Sequence, residues 1–161
     1  MINKKKLIEN IINQPLVNQN TEIDKKKTLA EKWFNELRDQ ICDDFVKIES
    51  NFKININNSD KVSKLKLPTF KQKKWIRDGG GGGVISIMKG DVFEKVGVNI
   101  STVYGKFSDK FKSQIPGAEK TGDFWASGIS VVAHMNNPFV PAAHMNTRFL
   151  VTGLGENRKF W

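Results

Sequence analysis

The 161-residue chain is poor in soft metal ligands: one cysteine, Cys42, and two histidines, His134 and His144. A single thiol excludes a disulfide framework within the chain and suits a reducing compartment. Three such residues fall short of a self-contained zinc finger. Long apolar runs are also missing; nothing approaches the roughly 20 residues of a membrane helix. Met1–Asn13 carries Lys4, Lys5 and Lys6, but Glu9-Asn10 interrupts Leu7-Ile8 at once. With neither an apolar h-region nor a small-residue cleavage site, the expectation is a cytoplasmic protein. Acids are outnumbered, 17 against 26 Lys and Arg, for a net charge of +9.

What is present argues for one folded domain. Hydrophobic residues make up 39% and aromatics 10%, and a chain of this length buries roughly two-thirds of its unfolded surface. Of the cations, 17 lie in residues 1–77 beside 10 acids. A nucleic-acid arm is one meaning of such a basic front half. Lysine nonetheless dominates over arginine, amid runs such as Asn51-Phe52-Lys53-Ile54-Asn55-Ile56-Asn57-Asn58, and no stripe of arginine interleaved with aromatics is found. The charge therefore reads as solvated surface with no nucleic-acid partner, although it still favours an anionic small molecule.

Residues 1–27 form a polar, lysine-rich segment, and 28–161 the domain. Leu29, Trp33, Leu37, Ile41, Phe45 and Ile48 recur at three- and four-residue spacing, widened by Phe34. This predicts an amphipathic helix over about 28–50, with Thr28 as N-cap and Glu31 at its capping-box position. Cys42 sits beside the stripe and reads as a packed thiol. After a polar connector, 51–68, the period changes to two. Strands are predicted at Phe70–Arg77, Val84–Met88, Val92–Lys95, Val98–Tyr104, Gly128–His134 and His144–Val151, with turns at Gly79–Gly83, Lys89-Gly90-Asp91, Gly97 and Pro138/Pro141. Residues 106–123 read as a looser stretch. The fold class is α+β, with a large antiparallel β-sheet flanked by helices.

Gly79–Gly83 invites a phosphate-loop reading, which its context defeats. No Gly-Lys-Ser/Thr ending opens a helix there; a strand pattern follows. The run reads as a hairpin connection, or as a place where backbone approaches a ligand or neighbouring strand closely. Residues 128–148 are richer. Alternation puts Ser130, Val132 and His134 on one face of one strand, and His144, Asn146 and Arg148 on one face of another. If the two faces coincide, hydroxyl, amide, imidazole and guanidinium groups converge without a carboxylate. That set suits an anionic substrate: Arg148 can grip a carboxylate through two N–H bonds, and a histidine can relay a proton. The plainer alternative is a strand pair whose polar residues face solvent. Two histidines on adjacent strands also make two metal ligands, the rest coming from elsewhere.

At these residues the chain resembles the oxygen-dependent coproporphyrinogen-III oxidases. The motifs are Leu37-Arg38-Asp39-Gln40-Ile41-Cys42 within Thr28–Ser50, Trp75-Ile76-Arg77, Phe93-Glu94-Lys95-Val96-Gly97-Val98-Asn99-Ile100-Ser101, and Gly128-Ile129-Ser130 through Arg148. The resemblance implies a homodimeric enzyme of haem biosynthesis, built on a broad antiparallel sheet covered by helices on both sides. Such enzymes convert two propionates of coproporphyrinogen III to vinyl groups with molecular oxygen, yielding protoporphyrinogen IX, without an organic cofactor. By motif position it implies Ser130, Asn146 and Arg148 as substrate contacts and His144 as proton donor. His134 and His144 correspond to two ligands of a divalent metal cation in bacterial members. Met135 stands where the family usually has proline. Beyond Trp161 the family pattern continues with a glycine-rich segment, an Asp-Leu-Thr-Pro motif and a Gly-Gly-Arg contact. The expectation is thus an N-terminal portion with little activity alone, the alternative being a non-catalytic or partner-dependent fragment that binds anionic ligands.

Overall fold

The computed structural model describes residues 19–57 and 67–161. The N-terminal residues 1–18 and positions 58–66 of the expected connector lie outside the described residues. A long helix, α1 (Gln19–Asn57), is followed by β1 (Lys71–Ile76), β2 (Gly81–Met88), β3 (Phe93–Lys106), the one-turn helix α2 (Asp109–Lys112), β4 (Asp123–Met135), β5 (Ala143–Thr152) and the short β6 (Lys159–Phe160). The strands form one antiparallel meander in chain order. This is the expected α+β layout. Among the described residues, α1 covers one face, by packing on β3 and β4, and leaves the other open.

The helix is longer than its apolar stripe predicted. It runs through 19–27, read as part of the polar segment, and through 51–57, read as connector. Thr28 consequently lies inside it and caps nothing; its hydroxyl donates to the Asp24 carbonyl at 3.0 Å. Ile23, Ala30, Phe34 and Cys42 are buried, while Trp33, Leu37, Ile41 and Phe45 pack against the same core. Phe45 meets Phe93 edge to face with ring centroids 5.0 Å apart, a favoured aromatic geometry. Across the sheet the core is completed by Val96, Val98, Ile100, Ile129, Val131 and Ala133.

The stripe ends differently from the expectation. Ile48 is 45% exposed, and Glu49 takes the buried position at 0%. There α1 crosses the β2–β3 connection, where the N–H of Gly90 donates to the Phe93 carbonyl at 2.8 Å and those of Asp91, Val92 and Phe93 turn to the helix. The Glu49 carboxylate supplies the acceptors: Oε2 accepts from Asp91 N at 2.9 Å, and Oε1 from Val92 N at 3.0 Å and Phe93 N at 2.9 Å. A carbon side chain on Gly90 would overlap that carboxylate.

Gly97, read as a turn, lies within β3, paired with Ile87 and Val132, so two predicted strands are one. A bulge between Phe93 and Lys95 adds a residue and inverts the side-chain alternation. Phe93 consequently faces the core and Lys95 the open face. The glycine run divides. Asp78–Gly80 turn, while Gly81–Gly83 belong to β2, where added carbons at Gly81 and Gly83 would overlap the carbonyls of Thr102 and Ile100 on β3. Close approach to a neighbouring strand is therefore the reason for glycine there.

Burial pushes the Cys42 thiol up from its ordinary 9.0 to about 11, against a smaller opposing pull from Arg38. Because the thiol ionises more readily in the unfolded chain, its contribution to stability is intact below pH 9 and is lost as pH rises towards 11. Native Cys42 is expected to resist alkylation at pH 8. Part of the alkaline loss of stability should disappear in Cys42→Val, as followed by thermal melts across that window.

Candidate active site

The open face carries the candidate residues. In an antiparallel pair, residues directly opposite project to the same side. Ser130 lies opposite Asn146, Val132 opposite His144, and Gly128 opposite Arg148. Ser130, His134, His144, Asn146 and Arg148 therefore share one face, away from α1, whereas Ile129, Val131 and Ala133 fill the core on the other. The guanidinium of Arg148 and the imidazole of His134 are on the same side of the sheet.

Extending the register shows what surrounds them. One row across the sheet reads Lys73, Ile85, Asn99, Ser130 and Asn146; the next reads Trp75, Gly83, Ser101, Gly128 and Arg148. The two rows bound a concavity of about 380 Å³ lined by Trp75, Ile85, Asn99, Ser130, Asn146 and Arg148. A third row, Lys71, Ile87, Gly97, Val132 and His144, continues the face, and Lys95 lies opposite His134 beyond it. Asn99, Ser101 and Trp75 are thus wall residues that the candidate set omitted. Alternation within Val98–Ser101 was the signal for the first two, since Asn99 and Ser101 are the polar half of that strand.

Local contacts orient several of these groups. Arg148 Nη2 donates to Asn146 Oδ1 at 3.4 Å, a long bond that places amide and guanidinium side by side. Asn99 Oδ1 accepts from Ser86 N at 3.3 Å. The β4–β5 connection is anchored at Asn136, whose side-chain amide donates to the carbonyls of Gly90 and Asp91 at 3.0 and 2.8 Å, and whose backbone N–H donates to Val92 at 2.9 Å. Glu49 thereby holds, through residues 90–93, the end of the sheet that bears His134. Both histidines and Arg148 are exposed, so their donors are accessible to a ligand arriving on this face.

His134 and His144 sit diagonally on adjacent strands, His134 one step beyond the last paired residues, Ala133 and Ala143. Among the described residues, no group of three His, Cys, Asp or Glu side chains could hold a metal ion. The two imidazoles supply at most two of the three or four ligands that a zinc-type site takes, so the residues present do not make up a metal centre by themselves. A second hollow, of about 430 Å³, lies on the helix side near Lys27, Trp125 and Arg158. It contains none of the candidate residues. Among the described residues no helix is long and apolar enough to cross a membrane.

A family model described as coproporphyrinogen III oxidase matches residues 29–161. The oxygen-dependent coproporphyrinogen-III oxidase of Rickettsia bellii (strain OSU 85-389) is 52% identical over 128 residues, which is 80% of this chain and 43% of that protein. Its namesake from Rickettsia felis is 52% identical over 126 residues, 78% of this chain and again 43% of the relative, and that from Rickettsia akari is 51% identical over the same span. The chain thus spans less than half the length of the curated relatives it matches. The matched region contains α1 from residue 29 onward, the whole sheet and every candidate residue, and on that ground the chain belongs to the coproporphyrinogen III oxidase family.

Proposed function

We propose that this chain forms the substrate-holding sheet of an oxygen-dependent coproporphyrinogen-III oxidase, the reaction in the relatives' names. In that reaction each of two propionate arms loses its carboxylate as CO2 and two electrons pass to O2. What remains of each arm is a vinyl group, one hydrogen leaving as a proton with those two electrons, so atoms and electrons balance with O2 as the acceptor. The observation that carries the reading is the shared face: a guanidinium, an amide, a hydroxyl and two imidazoles, with no carboxylate, beside an indole-walled concavity. An acid arm is held by Arg148 and Asn146, because a guanidinium matches a carboxylate with two parallel N–H bonds. Ser130, directly opposite Asn146, adds a hydroxyl on the inner side. His144, two residues from Asn146 on the same face, is the proton-transfer group, imidazole being suited to exchange near neutral pH.

In the same reading the complete enzyme is a cytoplasmic homodimer of haem biosynthesis that takes O2 as co-substrate and no organic cofactor. His134 and His144 would contribute two ligands to any divalent cation.

Binding of coproporphyrin III, the stable oxidised analogue of the substrate, tests the site. The Arg148→Ala variant is expected to bind about 10- to 100-fold more weakly than wild type, as read by fluorescence titration. That range corresponds to loss of a charged hydrogen-bond pair at about 1.5–3 kcal/mol, its lower end applying to this solvent-screened position. Equal affinity in the two proteins would reject the site.

A further inference from the structure

We propose that Gly97 is a specificity-determining position of the open face, kept free of a side chain so that the tetrapyrrole macrocycle can lie against the backbone of β3 between Ile87 and Val132. The inference rests on the reading of this face as a coproporphyrinogen site.

Glycine in the interior of a strand needs a reason, because it costs roughly 0.5–1 kcal/mol relative to alanine. Four reasons are usual: a positive φ, a bulge, backbone crowding, or a ligand that approaches closely; the bulge of β3 lies at Phe93–Lys95, and Gly97 itself pairs in regular register with Ile87 and Val132. Gly97 is not among the glycines with positive φ. A carbon built there would meet only Asn99 Nδ2, at 3.5 Å, an ordinary contact. The fold thus has room for a side chain at this point. The other glycines of the face differ. A carbon at Gly83 would overlap the Ile100 carbonyl and come within 2.9 Å of the Trp75 ring, and one at Gly128 would lie 2.6 Å from the Thr147 carbonyl. The sheet itself requires those two, which leaves a ligand as the remaining reason at position 97.

The position suits that role. Gly97 lies opposite Ile87 on one side and Val132 on the other, both half-buried, so its missing side chain leaves a notch in an apolar floor. His144 is one strand beyond Val132, about 10 Å from Gly97 at the strand spacing of ~4.8 Å. Arg148 stands four residues further along β5, about 13–14 Å from His144, and its guanidinium turns back towards Asn146. A macrocycle on the order of 10 Å across, with one acid arm on Arg148 and Asn146 and another near His144, covers the notch at Gly97. A valine there would stand up in the middle of the floor and lift the ring away.

The test compares wild type, Gly97→Val, Gly97→Ala and Arg148→Ala for coproporphyrin III affinity and melting temperature. Gly97→Val is expected to bind at least ten-fold more weakly while melting at or above the wild-type temperature, with Gly97→Ala intermediate in affinity. If wild type binds, Arg148→Ala weakens binding and Gly97→Val binds as wild type does, the role of Gly97 is overturned and the site stands. Should wild type show no binding, the site reading fails and this inference with it. A fall in melting temperature of more than about 5 °C in both Gly97 variants would mean that the fold requires this glycine, which also overturns the inference.

Discussion

Glu49→Ala is expected to lower the melting temperature by roughly 10 °C, the equivalent of about 3 kcal/mol for a chain of this size. The carboxylate accepts from three consecutive backbone N–H groups, and each donor left buried without an acceptor costs about 1–3 kcal/mol. Asp91 is exposed and Val92 half-buried, so water can reach part of the vacated site, and the three costs do not add in full. The loss is nonetheless a large fraction of a typical total stability of about 5–15 kcal/mol. Glu49→Gln keeps one oxygen but turns an amide N–H towards the same donors, and should fall between wild type and alanine. The damage should also travel. Asn136 is bonded to the carbonyls of Gly90, Asp91 and Val92, so its backbone amide should exchange faster with solvent in Glu49→Ala. A melting temperature and Asn136 exchange both within error of wild type would show that the carboxylate does not hold this connection.

Glu49 also shows where reading the sequence stops. The helix, its core-facing side and the change of period after Pro68 were legible, because apolar spacing of three and four and strict alternation are direct consequences of helix and strand geometry. Its ends were not legible. The first turns of α1 carry Glu22, Asp24, Lys25, Lys26 and Lys27, in which an apolar count sees no stripe, although Ile23 is buried. At the other end the rule that apolar residues go inside selects Ile48, whereas an unpaired run of peptide N–H groups contributed by a distant connection draws in the carboxylate beside it. Likewise, nothing in Phe93-Glu94-Lys95 announces the bulge that sends Phe93 and Lys95 to opposite faces, and Gly97 reads as a turn because glycine in mid-strand is unfavourable unless something outside the strand requires it.

The candidate site was legible for a simpler reason. A strand has two faces, so once residues 128–134 and 144–150 are read as strands, Ser130, His134, His144, Asn146 and Arg148 can be sorted by parity alone. Whether the two polar faces coincide depends on the register, which the β4–β5 connection sets. Within it Asn137 Oδ1 accepts from Phe139 N at 3.0 Å and Val140 N donates to the Asn137 carbonyl at 3.1 Å, a compact turn that brings Ala143 opposite Ala133. A one-residue slip would have turned Arg148 towards the core. The far wall was beyond reach, since Trp75 is 55 residues before Ser130 and meets it only through two intervening strands.

His144→Ala and Arg148→Ala separate chemistry from binding along one strand. In a chimera that continues this chain with the remainder of the Rickettsia bellii relative, His144→Ala is expected to lower kcat for coproporphyrinogen III under air by about 10²–10⁴-fold, the usual worth of a positioned proton-transfer group, with KM little changed. Arg148→Ala should act chiefly on KM, because a carboxylate clamp formed in the ground state is uniform binding. The two side chains project from the same face four residues apart, far enough for one acid arm to sit on Arg148 and Asn146 while another lies near His144. An imidazole that only bound substrate would shift KM as the arginine does, and one facing solvent without a role would shift neither constant. Proton transfer at position 144 thus requires a fall in kcat that alanine at 148 does not reproduce. The two variants behaving alike would remove His144 from the chemistry.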